Sequence, residues 1–354
     1  MRRLLWAIWW AGFLFVLIIL ACLGLVLGTD KPPRLHEGNF LCSKCFPPRQ
    51  GGKTKMAVFG DTQKGLAGFA ALAELAKAED IDLAIHTGDL VSHADVGHYD
   101  LALKWVERAR LGVPFVVAPG NHDIKDGAGL FEERIGHRQF AFRWGPVDIV
   151  VVDNAVAPPG EAAVEKLLAA AKGPILLFMH VPPHDTTRNT LVPKSTYTCF
   201  LEMIRKYPVR YVFGGHAHGY SRIEDGGIVY IANGVGGDSD SWQFDQKACM
   251  TIVEATTTTV EGAPVDIHAR EISIEPVFGL QANVEHLAIG HVGEIMLRTP
   301  WGIPALLLLI LILAFIYRRL RRKKEKVPEP EKEPEKLEMK FTSAKTIEPP
   351  DIVI

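Results

Sequence analysis

Five short apolar runs in this chain end in side chains able to hold a cation. "KMAVFGDTQ" leads to Asp61 and Gln63, "DLAIHTGD" to Asp89, "PFVVAPGNHD" to Asn121, His122 and Asp123, "PILLFMH" to His180, and "VRYVFGGHAH" to His216 and His218. Carboxylate and imidazole together suit divalent first-row metals, and no thiolate stands among them, which argues against a purely structural zinc site. Singly, each ending is weak: a Gly-Asp after a strand is commonly a turn acid or helix cap, and a lone histidine on an apolar run is commonly a core residue. Paired histidines at i and i+2 after two glycines have little structural reason to exist, and five such endings in succession form a pattern.

The elements that must position these residues are legible too. The strand-like runs, with "VDIVVVDNA" among them, alternate with helical stretches such as "GFAALAELAKAED" and "GEAAVEKLLAAAKG", which predicts α/β units on a largely parallel sheet. In such a sheet ligands bind beyond the carboxyl ends of the strands, where residues distant in sequence converge. After Gly219 the helical pattern stops. "GGIVYIANG", "ACMTIVEATTTTVEG" and "VDIHAREISIEP" read as consecutive strands, so a mixed or two-sheet core is expected.

The 354 residues, 48% of them hydrophobic, can build a large core, and a net charge of −2 argues against a nucleic-acid-binding surface. Two segments raise the mean hydropathy: Leu4 to Gly28, without a charge, and Trp301 to Tyr317. Each approaches the ~20 apolar residues that span a bilayer, and Arg2, Arg3 and "RRLRRKK" flank them on the outer ends, so both termini are expected in the cytoplasm and the middle outside the plasma membrane. The first run exceeds a signal-peptide core and lacks a small-x-small cleavage site, which favours an uncleaved anchor. Cys42, Cys45, Cys199 and Cys249 then lie outside, where disulfides persist; "CSKC" lacks a second Cys or His pair and suits a disulfide, internal or to Cys199 or Cys249, better than a metal. The expected organisation is an anchor at 1–28, a linker with the CxxC at 29–54, a catalytic domain at 55–276, a juxtamembrane segment at 277–299, a second span at 300–317 and a solvated, Pro-broken charged tail at 318–354.

In order, the motifs GDTQ, GDL, GNHD, MH and GHAH resemble those of the calcineurin-like metallophosphoesterase family, whose pattern runs D-x-H, GD, GNH[DE], H, GHxH. The likeness covers Lys55 to Pro276, and the segment "FEERIGHRQFAFRWGPVDIVVVDN" is also similar to a family stretch. The resemblance implies a four-layer α-β-β-α sandwich with two mixed sheets, here flanked by one transmembrane helix at each end. It further implies two divalent metal ions, Mn, Fe, Zn or Mg, with Asp61, Gln63 and His218 on one, Asn121, His180 and His216 on the other, and Asp89 bridging both. Hydroxide generated between the ions would attack phosphorus, and His122 would protonate the leaving oxygen with Asp123 orienting its ring or capping a helix. His184 is a candidate substrate contact, while His93 and His98 either line the cleft or lie on the surface.

One position departs from the family: Gln63 stands where histidine is usual. An amide is a neutral, weakly basic ligand, so the first metal site is expected to be weaker or to prefer Mn, Mg or Fe. The expected activity is hydrolysis of phosphate mono- or diesters, nucleotide or lipid-linked phosphates among them, with the membrane bilayer as a partner. The alternative is a catalytically impaired protein that binds metal or a phospho-ligand in the same cleft.

Overall fold

The computed structural model describes residues 52–63, 65–125, 127–184, 197–233, 236, 248–257 and 264–274, together with 308, 311, 312, 314 and 315. Residues 1–51, with the first expected span and the CxxC linker, lie outside the described residues, as do 277–299, most of 301–317 and the tail. The chain divides into two units, Met1–Gly302 and Ile303–Ile354. In the second, Leu308, Leu311, Ile312 and Phe315 are helical with exposed apolar side chains. Among the described residues no helix is long and apolar enough to cross a membrane.

The first unit holds two mixed sheets. In the five-stranded sheet, β1 (Lys53–Phe59), β2 (Leu83–His86) and β3 (Phe115–Val117) run parallel, and β10 (Ala248–Thr257) and β11 (Val265–Ile274) continue it antiparallel in the order β11-β10-β1-β2-β3. The six-stranded sheet has the order β4-β5-β6-β7-β9-β8. Its parallel centre is β5 (Val147–Val151), β6 (Ile175–Phe178), β7 (Val209–Gly214) and β9 (Ile228–Asn233), with β4 (Phe140–Trp144) and β8 (Tyr220–Asp225) antiparallel at the edges. The parallel strands are apolar over most of their length because both faces are covered.

Successive strand residues face opposite sides. Met56 and Val58 of β1 therefore pack with Leu83, Ile85, Ile149, Val151, Phe178 and Phe213 between the sheets. Their neighbours Ala57 and Phe59 face α1 (Leu66–Ala78) and α2 (Val96–Ala109) through Phe69, Leu72, Tyr99 and Leu103. On the far side, Val150, Ile175 and Leu177 meet Val164 and Leu168 of α5 (Glu161–Ala169) and Phe200 and Ile204 of α6 (Thr198–Ile204). The layers are α-β-β-α. Helix α2 starts where the Asp95 carboxylate accepts from the His98 backbone N–H at 3.0 Å. Two further short helices, α3 (Asn121–Ile124) and α4 (Gly129–Arg134), follow β3.

Candidate metal centre

Each candidate ligand sits two to four residues beyond a parallel strand. Asp61 and Gln63 follow β1, Asp89 follows β2, Asn121 follows β3, His180 follows β6, and His216 and His218 follow β7. Among the described non-glycine residues, seven have positive φ, and five of these are Asp61, Gln63, Asp89, His216 and His218. Such backbone is sterically costly and persists only where surrounding contacts hold it. Here they do. The Asp61 N–H donates to the Gly88 carbonyl at 2.9 Å and the Gln63 N–H to that of Asp89 at 3.1 Å, while the His216 N–H donates to the Asp61 carboxylate at 2.9 Å. Gly88, at φ 100°, passes so near the site that an added Cβ would lie 2.6 Å from His180 Nδ1.

The side chains fall into two groups that share Asp89. Ligand atoms of Asp61, Asp89 and His218 lie within 4.8 Å of one another, as do those of Asp89, His180 and His216. Asn121 joins the second group, its Oδ1 standing 3.0 Å from His180 Nε2. Asp61, Asp89 and His180 are almost wholly buried. Burial pushes the Asp61 carboxyl up, but its hydrogen bond to His218 and the nearby imidazoles outweigh that and hold it below the usual carboxylate range. Burial pulls His180 down, and the charges of Asp89 and Asp61 reverse this and raise it. His216 drops to about 4, chiefly by burial and then by the neighbouring His180. A buried cluster of two carboxylates and three imidazoles is the donor set a cation pair requires. The His180 ring is also oriented as a ligand's would be: Nδ1 donates to the Thr87 carbonyl at 2.9 Å, which turns Nε2 toward Asn121 and Asp89. The residues fit.

Gln63 adopts a different posture. Its Nε2 donates to Asp89 Oδ2 at 3.1 Å. Asp123 takes the second of its two expected roles, the cap. Its two oxygens accept from the backbone N–H groups of Asp89 at 2.8 Å, Val91 at 3.0 Å and Gly120 at 2.8 Å, so it caps α3 and braces the Asp89 loop rather than orienting His122. Burial and then the Asp89 charge lift its carboxyl to about 7, against the pull of the Val91 and Gly120 N–H groups. The His122 ring is set by the Ser92 carbonyl, which accepts from Nδ1 at 2.8 Å; Nε2 lies 4.0 Å from Asp89 Oδ2 in a side chain 39% exposed.

His184 is not gathered into this cluster. It pairs with Asp225 at 3.1 Å and packs edge-on to Tyr230. Asp225 stands opposite Ile228 at the start of β9, whereas the cluster lies beyond the strand ends. Of the two histidines after Asp89, His98 is buried against Asp95, and the His93 ring lies edge-on to that of His122 at 6.4 Å. Cys199 is exposed on α6 and Cys249 buried on β10.

Two residues escaped the motif reading. Asn154, just past β5, uses its whole amide: Oδ1 accepts from the N–H groups of His180 and Val181 at 2.9 and 3.1 Å, and Nδ2 donates to the Val181 carbonyl and the Tyr197 hydroxyl at 2.7 and 2.9 Å. His86, wholly buried at the end of β2, meets Thr62 Oγ1 at 2.9 Å. Their signal was position: each ends a parallel strand as the ligands do.

Fold and cluster together define a two-sheet α/β protein with a candidate two-cation centre at the strand ends. Residues 54–220 match the calcineurin-like phosphoesterase family. No curated protein matches the chain in sequence. Among solved structures it is similar to a purple acid phosphatase from yellow lupin (Lupinus luteus) seeds, at 16% identity and a TM-score of 0.49, over 64% of this chain and 55% of the lupin chain. It is similar also to a dimetal phosphatase from Danio rerio, at 12% identity and a TM-score of 0.43, over 63% of this chain and 99% of that one.

Proposed function

We propose that the domain hydrolyses phosphate mono- or diesters at a pair of divalent cations, and that residues 4–28 and 301–317 anchor it in the plasma membrane with both termini cytoplasmic. The observation that supports the hydrolytic reading is Asp89. One buried carboxylate belongs to both ligand groups, the arrangement that two mutually repelling cations need. Asp61, Asp89 and His218 would hold one ion, and Asn121, His180, His216 and Asp89 the other. Bound there, such a pair supplies a hydroxide nucleophile at neutral pH and neutralises phosphate oxygens.

The remaining work falls to the chain. His122 holds its Nδ1 proton against Ser92, so Nε2 is the atom that carries and releases a proton toward a leaving alkoxide. Asp123 keeps Asp89 and the start of α3 in register. Asn154 fixes the backbone of His180. Anchoring raises the effective concentration of a membrane-bound ester, which favours a lipid-linked phosphate over a free nucleotide as substrate.

The test is metal content by elemental analysis together with turnover of model mono- and diesters. Asp89→Asn is expected to lose both metal and activity. His122→Ala is expected to keep metal and lose about 10²- to 10⁴-fold in rate. A second reading, a cleft that binds a phosphorylated ligand without turnover, is favoured by Gln63 in the place of imidazole. Full metal occupancy with no turnover of either ester would decide for it.

A further inference from the structure

We propose that Gln63 is a clamp on the bridging Asp89 rather than a metal ligand, and that the two cations consequently bind with unequal affinity, the Asn121, His180 and His216 group filling first. This rests on the two-cation reading above. Residue 63 holds residue 89 twice, through its backbone N–H to the Asp89 carbonyl at 3.1 Å and through its side-chain Nε2 to Asp89 Oδ2 at 3.1 Å. An amide nitrogen has no lone pair to offer a cation, and a carboxylate oxygen can only accept, so the atom turned toward the shared ligand is a donor.

The other Asp89 oxygen is held as well. Oδ1 accepts from the His122 N–H at 2.9 Å and faces His180 Nε2 at 3.4 Å. The bridging carboxylate is thus fixed at both ends, by Gln63 on one side and by the start of α3 on the other. Donors can then be counted. Asp61, Asp89 and His218 give the first cation three protein ligands, while Asn121, His180, His216 and Asp89 give the second four. A tetradentate set binds more tightly than a tridentate set of similar chemistry. Because Asp89 serves both sets, its clamp supports both cations, as outer-shell partners of metal ligands do.

The test is calorimetric titration of the full-length protein, stripped by chelator and kept in detergent, with Mn²⁺, followed by electron paramagnetic resonance of the loaded sample for exchange coupling between two Mn ions. Two sites differing at least tenfold in Kd are expected. Gln63→Leu should weaken both about 10- to 100-fold while the stoichiometry stays at two. Gln63→His also removes the amide clamp but supplies a fourth ligand, so relative to Gln63→Leu the weaker site alone should tighten, by tenfold or more. Gln63→Met, closer in length and lacking a donor, repeats the Leu comparison should that variant fold poorly by circular dichroism. If the donor-less variants lose or weaken one cation and leave the other untouched, Gln63 is a ligand and the inference fails; two equal sites in the unmodified protein overturn it too. No Mn²⁺ binding at all would sink the two-cation reading and this inference with it.

Discussion

Beneath the loop that carries Asp61 and Gln63, the His86 ring is wholly buried, edge-on to Phe59 at 5.6 Å and to Phe115 at 6.0 Å. Burial, above all, drives its pKa down to about 3. A histidine that must stay neutral when folded contributes stability that is complete above its unfolded pKa of about 6.5. That stability is lost as pH falls from there toward about 3, at about 1.4 kcal/mol per unit. Thermal unfolding between pH 4 and pH 8 should therefore show a steep acid limb that His86→Phe flattens, the ring being replaced by one that suits the aromatic box. The variant also removes the hydrogen bond between His86 Nε2 and Thr62 Oγ1, so metal affinity at the neighbouring Asp61 should fall while stability at low pH improves. Parallel acid limbs in the two proteins would contradict this account.

At the scale of elements, the strand-to-loop junctions decide whether a site exists. Gly88→Ala would place a methyl group against His180 in a backbone turn at φ 100°, whereas Gly112→Ala meets open space at φ 71°. The second change should cost about 1 kcal/mol, the conformational term alone. The first should cost more and raise the Kd for Mn²⁺, since it displaces a ligand ring; denaturant unfolding with calorimetry separates the two effects. Strands with apolar runs and an abrupt polar ending were plain in the sequence, and so were the candidate ligand positions, because each follows such an ending directly. Other features were not. Helix α2 begins within "SHADVGHYD", where cap and loop chemistry look alike, and β8, "YSRIED", is an edge strand whose exposed residues lack a clean alternation. Asp123 stays between dyad and cap in the sequence because a carboxylate beside a histidine suits either, and only the fold reveals the three N–H groups that claim it. His86 and Asn154 act through contacts spanning 24 to 43 residues, distances at which local pattern carries no information.

At the scale of the whole molecule, the two apolar segments call for their own test. A fluorescent reporter placed after Tyr317 should light the cytoplasm, and the protein should stay with the membrane fraction through an alkaline carbonate wash. Release by that wash would remove the anchoring proposal and leave the metal centre standing. Between those segments the ligands stretch from Asp61 to His218, carried by strands of both sheets, and the packed layer of Met56, Val58, Phe178 and Phe213 is what brings the sheets face to face. During synthesis, therefore, a chain that has emerged only as far as α5 holds Asp61, Asp89 and Asn121 yet lacks His180, His216 and His218. On the two-cation reading, neither ligand group is complete in the growing polypeptide until β7 has formed. Loading would then be a late event, one that waits on the second sheet.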